Sequence, residues 1–179
     1  MPFPLKTPTP NRIIVRMGFL FLIVVALTVF KTQGQSVQAS VVTVGGQVLR
    51  PQKFGIDELR NLKQIEITAK DHSGKDRLFK GVAVVDLLSV AGTTLGRELR
   101  GDNLLKYVVV SSADGYKVVF SLAEIDPEFA TQTILLACEV DGKPLEKGEG
   151  PFRVVVPNDK KHARWIREVA SIEVVSSAK

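Results

Sequence analysis

Three residue types able to build a hydrolytic triad stand side by side at Asp71-His72-Ser73. A triad needs the histidine held between acid and hydroxyl in space. Neighbours along a strand point to opposite faces, so this run cannot hydrogen-bond as a triad. It reads as the polar tip of a hairpin running into Gly74. No G-x-S-x-G or H-E-x-x-H run occurs. His72 and His162 are the only two histidines, and a two-histidine metal site would need a carboxylate close to both. No ligand spacing supplies one, so neither a catalytic residue nor a metal ligand is assigned. The other concentration is electrostatic. Lys160, Lys161, His162, Arg164 and Arg167 crowd one segment, and Arg153 lies on a strand just before it. Guanidinium forks suit phosphate or carboxylate. The cluster is therefore a candidate anion pocket, with a solvated helix face as the competing reading. Tyr116, Phe152 and Trp165 are the aromatics able to line a cleft. Phe152 and Trp165 read as core, whereas Tyr116 follows a turn from which its hydroxyl can reach the surface. The single cysteine, Cys138, reads as a buried, inert thiol.

These groups must be held by short strands and tight turns. Val41 to Val44 opens a strand that Gly45-Gly46 bends. Ile56 to Leu62 has a short helical spacing. Gln64 to Lys70 alternates apolar and polar residues, and Ser73-Gly74 turns it into a partner at Arg77 to Val82. Asp86 to Ala91 reads as a helix stopped by Gly92, and Thr93 to Asn103 as a loop. Tyr107 to Ser111 and Tyr116 to Phe120 flank Asp114-Gly115, a strong hairpin signal. Ser121 with Glu124 three residues on is a capping box. Thr133 to Val140 precedes another hairpin turn at Asp141-Gly142, and Phe152 to Val156 and Ile172 to Val175 are the last strands. The basic stretch Asp159 to Arg167 is expected to be helical. Together these elements predict one α+β domain with a mixed or antiparallel sheet and short helices.

Residues 1–39 stand apart. Lys6, Arg12 and Arg16 precede the apolar run Met17 to Phe30, and a polar stretch ends at Val37-Gln38-Ala39. That is the layout of a secretory signal, cleaved after Ala39 or after Gly34. The apolar run is shorter than the roughly 20 residues of a spanning helix; a retained membrane anchor is the alternative. Arg12 and Arg16 are not adjacent, which favours export of an unfolded chain over the twin-arginine route. The expected location is periplasmic or extracellular, with membrane attachment only through an uncleaved leader. Four of the 24 basic residues (Lys6, Arg12, Arg16 and Lys31) leave with the leader, and all 19 acidic ones stay. The remainder, residues 40–179, is nearly neutral, and global charge gives no support to nucleic-acid binding. A lone cysteine in an exported chain means no internal disulfide.

Five runs occur in order along this remainder. They are Phe79-Lys80-Gly81-Val82 leading into Asp86-Leu87-Leu88; Asp114-Gly115-Tyr116 with Phe120-Ser121-Leu122; and Ile134-Leu135-Leu136-Ala137 with Asp141-Gly142-Lys143-Pro144-Leu145. Gly150-Pro151-Phe152-Arg153 running to Pro157, and Ala163-Arg164-Trp165-Ile166 with Ile172-Glu173-Val174, complete the series. From Val41 to Val175 the chain resembles the molybdopterin-binding domain of the sulfite-oxidase family, and in particular its small exported members made of this domain alone. The resemblance implies that fold, and a pterin cleft. Arg153, Arg164, His72, Tyr116 and Lys161 are the candidate residues for holding a ligand there. Arg153 and Arg164 fall on the family's motif positions near the pterin phosphate. The family's enzymes also keep a molybdenum-ligating cysteine shortly before the aromatic-x-G-V segment. This chain has Thr68-Ala69-Lys70-Asp71-His72-Ser73-Gly74 there, with no sulfur. The expectation is an exported binding module with no cofactor and no molybdenum redox catalysis, taking a small anionic ligand or an envelope protein partner at the former cofactor cleft. The alternative is a molybdopterin-dependent oxidoreductase with an atypical metal site, with His72 or Asp71 near the metal.

Overall fold

Burial alternates along the first strand, β1 (Val41–Gly46). Val42 and Val44 are buried and their neighbours are more exposed, as the two-residue period of a strand requires. The computed structural model describes residues 41–177, so the leader's signal or anchor lies outside the described residues. After β1 come β2 (Gln52–Gly55), α1 (Ile56–Arg60), β3 (Ile65–Lys70), β4 (Asp76–Ala83) and α2 (Val84–Val90). Two 3-10 turns, Gly96–Glu98 and Gly101–Leu105, then lead to β5 (Lys106–Ser112), β6 (Lys117–Ser121) and α3 (Leu122–Ile125). The chain closes with β7 (Leu135–Val140), β8 (Lys143–Pro144), β9 (Arg153–Val155), a 3-10 turn at His162–Arg164 and β10 (Val169–Ser176). Among the described residues, no helix is long and apolar enough to cross a membrane.

The strands form two sheets. One has the order β2-β1-β10-β5-β6 and is mixed, because β1 and β10 pair in parallel while its other pairs are antiparallel. The other runs β3-β4-β7-β8, with β9 also on β7, and is antiparallel throughout. One buried cluster draws on both sheets, with Phe79, Phe120 and Phe152 among its largest side chains. Phe152 and Trp165 are core, as their sequence context suggests. Cys138 is also buried, and burial together with the neighbouring Glu139 pushes its thiol up, which keeps it protonated.

Local chemistry sets the element ends. Ser121 and Glu124 cap α3 reciprocally: the Ser121 hydroxyl accepts from Glu124 N at 3.2 Å, and the Glu124 carboxylate accepts from Ser121 N at 2.8 Å. Gly81 sits at a register shift in the β4–β7 pairing, where a Cβ would lie 2.0 Å from the Leu136 carbonyl oxygen. Only glycine lets these strands approach so closely.

The expected helix over Asp159 to Arg167 does not form; only the His162–Arg164 turn does. That stretch has no apolar stripe to bury along a helix face. Arg164 instead folds back on Asp159 with bonds of 2.7 and 2.8 Å, and the Trp165 indole N–H donates to the Val156 carbonyl at 2.9 Å. The segment is therefore held as an irregular strap.

Candidate functional site

Two hairpin tips, one from each sheet, face a common cleft. The β3–β4 tip is locked by Asp71, whose carboxylate accepts from the Ser73 hydroxyl at 2.6 Å and from the Ser73 and Lys75 amides. The Ser73 bond, the two amides and Arg77 together hold the Asp71 carboxyl down to about 2. Asp71 and Ser73 thus do bond to each other, because a turn, not a strand, brings them together. His72 takes no part in that bonding, so the three do not form a triad. On the β5–β6 side, Asp114 accepts from Tyr116 N at 2.9 Å, which drives its pKa down.

The strap, taken as residues 157–164, runs past both tips and is bonded to each. His162 Nε2 lies 2.8 Å from the Lys70 carbonyl, which can only accept, so Nε2 carries a proton. The Tyr116 hydroxyl donates to the Ala163 carbonyl at 3.0 Å. His162 also packs edge-on against Trp165, with centroids 4.4 Å apart, and His72 stands edge-on to His162 at 6.2 Å. The cleft, open to solvent on one side, measures about 1520 Å³. That is ample for a small ligand or an extended cofactor, so size does not choose between them and the donor set must.

Arg153 is the central feature of that set. It opens β9, lines the cleft, and its side chain is only 10% exposed. Its guanidinium carbon lies 5.6 Å from the Trp165 ring centroid and 5.9 Å from that of Phe79. One terminal nitrogen meets Glu149 at 2.9 Å, while the buried Nε has no hydrogen-bond partner. Burial pulls the Arg153 pKa down, and the Glu149 carboxylate works against that shift. Lys160, Lys161 and Arg167 line the same cleft with no ion-pair partner within 4 Å among the described residues.

The structure brings Arg153, His72, Tyr116 and Lys161 onto one cleft. Arg164 is not among its lining residues. It pairs bidentately with Asp159 and at 2.8 Å with Glu124, over the face of Phe120 at 4.6 Å. The Asp159 bonds, ahead of those from Glu124, raise its pKa. Its charge is committed to holding the strap. Sequence reasoning missed Glu149, because a carboxylate four residues before Arg153 signals contact only on a helix. Gly150 and Pro151 intervene here.

Cys138, the one thiol, is no part of this chemistry. Its sulfur lies 3.8 Å from the Lys80 carbonyl, and it is not among the cleft's lining residues. Among the described residues, no group of three His, Cys, Asp or Glu side chains could hold a metal ion.

Comparison with known proteins places this architecture. The sulfane dehydrogenase SoxCD from Paracoccus pantotrophus superposes with a TM-score of 0.60 at 17% sequence identity. The match covers 76% of this chain but only 38% of that one, so the likeness is one of fold. None of the curated proteins matches the chain. A family model, described as the oxidoreductase molybdopterin binding domain, matches residues 31–179. That span takes in every described element, and the chain belongs to the oxidoreductase molybdopterin-binding domain family.

Proposed function

We propose that the chain is an exported member of this family whose cleft binds a small anion and runs no molybdenum redox reaction. One observation carries the reading: a buried guanidinium in the cleft has a donor, Arg153 Nε, with no partner. A buried N–H left unmade costs about 1–3 kcal/mol. An oxyanion or carboxylate that reached it would recover that cost, in a cleft that Lys160, Lys161 and Arg167 also line. Export rests on the leader read from the sequence.

The family's cofactor fits this donor set at one end only. Its anionic phosphate would suit Arg153 and Lys161. Its metal would call for a soft sulfur ligand, and the lining residues include no thiolate. The metal end does not fit, so no redox step is derived.

The test is elemental analysis for molybdenum, with a fluorescence assay for pterin, on protein purified from the envelope of a cell that makes the cofactor. It is paired with calorimetric titration of inorganic phosphate. Phosphate binding that disappears in Arg153→Gln, with neither molybdenum nor pterin present, is the expected result. Stoichiometric molybdenum would overturn the reading and restore a molybdopterin-dependent oxidoreductase, with His72 and Asp71 as the first residues to substitute.

A further inference from the structure

Arg153 is offered to the cleft with an anion already beside it. The Glu149 carboxylate lies 2.9 Å from one terminal nitrogen, and its side chain is 38% exposed, on the cleft side. Glu149 is held by its backbone: its amide donates to Glu146 O at 3.0 Å and its carbonyl accepts from Glu168 N at 3.2 Å. These bonds fix the backbone from which the side chain reaches, and the 2.9 Å ion pair places its carboxylate beside the guanidinium. An anion bonding to the Arg153 guanidinium must then sit close to a second negative charge.

The chemistry of that encounter is selective. An ionised carboxylate is an acceptor only. A ligand oxygen carrying a proton can donate to it, turning a repulsion into a hydrogen bond. A ligand whose oxygens are all bare cannot, and like charges forced together reject it. Arg167 and the strap lysines lie in the same cleft and attract either ligand, and Asp71, Asp76, Asp114, Asp159 and Glu168 also line it. Glu149 is the carboxylate paired with Arg153 itself.

We propose that Glu149 is the specificity-determining residue of this cleft, selecting an anion that bears its own hydrogen-bond donor over one that bears none. The inference rests on the anion-binding reading given above, and it narrows the ligand class to protonated oxyanions and to carboxylates with an adjacent hydroxyl or ammonium group. Hydrogen phosphate and sulfate are the natural probes, because they share size and tetrahedral shape and differ in the proton.

The experiment is calorimetric titration of both anions at neutral pH into the mature protein, Glu149→Gln and Arg153→Gln, with near-ultraviolet circular dichroism to confirm folding. The wild type is expected to bind phosphate about tenfold or more tighter than sulfate, equivalent to about 1.4 kcal/mol. Glu149→Gln is isosteric and keeps both backbone bonds; it should bind sulfate about tenfold tighter and bring the ratio near one. Arg153→Gln should lose both anions. Arginine-dependent binding whose phosphate-to-sulfate ratio is unchanged in Glu149→Gln would overturn the role of Glu149 and leave the anion site standing. Failure of both anions to bind the wild type and Glu149→Gln would remove the anion site, and the selectivity with it.

Discussion

Arg153 is hard to explain as a structural residue. Burial opposes its charge, its one ion pair is with a partly exposed glutamate, and its Nε goes unpaired. Replacing a whole buried ion pair by apolar side chains is often neutral or stabilising, and removing one partner is costly when it strands the other in the interior; here the partner left behind, Glu149, can reach water. Arg153→Met should therefore match or exceed the wild type in urea midpoint while losing phosphate binding, a stability cost retained for function. A fall of about 3 kcal/mol or more would instead make Arg153 a structural residue. Asp71 makes the opposite case, since its bonds serve the fold. Its pKa is held near 2 against an ordinary 3.8. A depressed carboxyl pKa contributes stability that is present above the unfolded value and is lost as pH falls through the folded one. The wild type should lose stability on acidification from about pH 4 to about pH 2, and Asp71→Asn should flatten that limb. Urea midpoints measured across the window decide it; identical slopes in the two proteins would sink the assignment.

At the scale of elements, two glycines separate backbone freedom from close packing. Gly74, at the β3–β4 tip, has φ +82° and nothing within 4 Å of the point a Cβ would occupy, so Gly74→Ala should cost only the left-handed penalty, about 1 kcal/mol. Gly81 must clear a carbonyl oxygen 2.0 Å away, and Gly81→Ala should cost about 3 kcal/mol by forcing β4 off β7. Equal effects in chemical denaturation would contradict this packing. The hairpins were legible in the sequence because Ser73-Gly74, Asp114-Gly115 and Asp141-Gly142 announce their own turns, and the α3 cap because its two residues are local. Strand β2 escaped notice because only Phe54 of its four residues is buried, too little for an alternation to register. The strap misled because a run of cations resembles a solvated helix face until its partners are known. The site divided along the same line. Arg153 was recognisable from a motif, whereas Glu149 reaches it across a Gly-Pro break, and the commitment of Arg164 to Asp159 and Glu124 depends on folding.

At the scale of the whole molecule, the partition into two sheets was beyond sequence reading, since the parallel β1–β10 pairing joins opposite ends of the described chain. That partition also creates the site. A cleft whose walls are hairpin tips from different sheets depends on whatever ties them together, and here the strap does so. His162 reaches one tip through Lys70 O and Tyr116 reaches the strap from the other, while Arg164 fastens the strap to α3 through Glu124. If Arg164 fastens the strap and touches no ligand, its loss should act on the fold first. Its ion pairs are neither fully exposed nor fully buried. Arg164→Ala should accordingly cost about 2 kcal/mol, between the surface and buried limits for such pairs. Phosphate affinity should fall only a few-fold, because Lys160 and Lys161 are less well held, whereas Arg153→Met abolishes binding with the fold intact. Hydrogen exchange should locate the loosening in residues 157–164, leaving β9 protected. A variant as stable as the wild type that no longer binds phosphate would give Arg164 a direct contact with the ligand, and the strap would then be part of the binding surface itself.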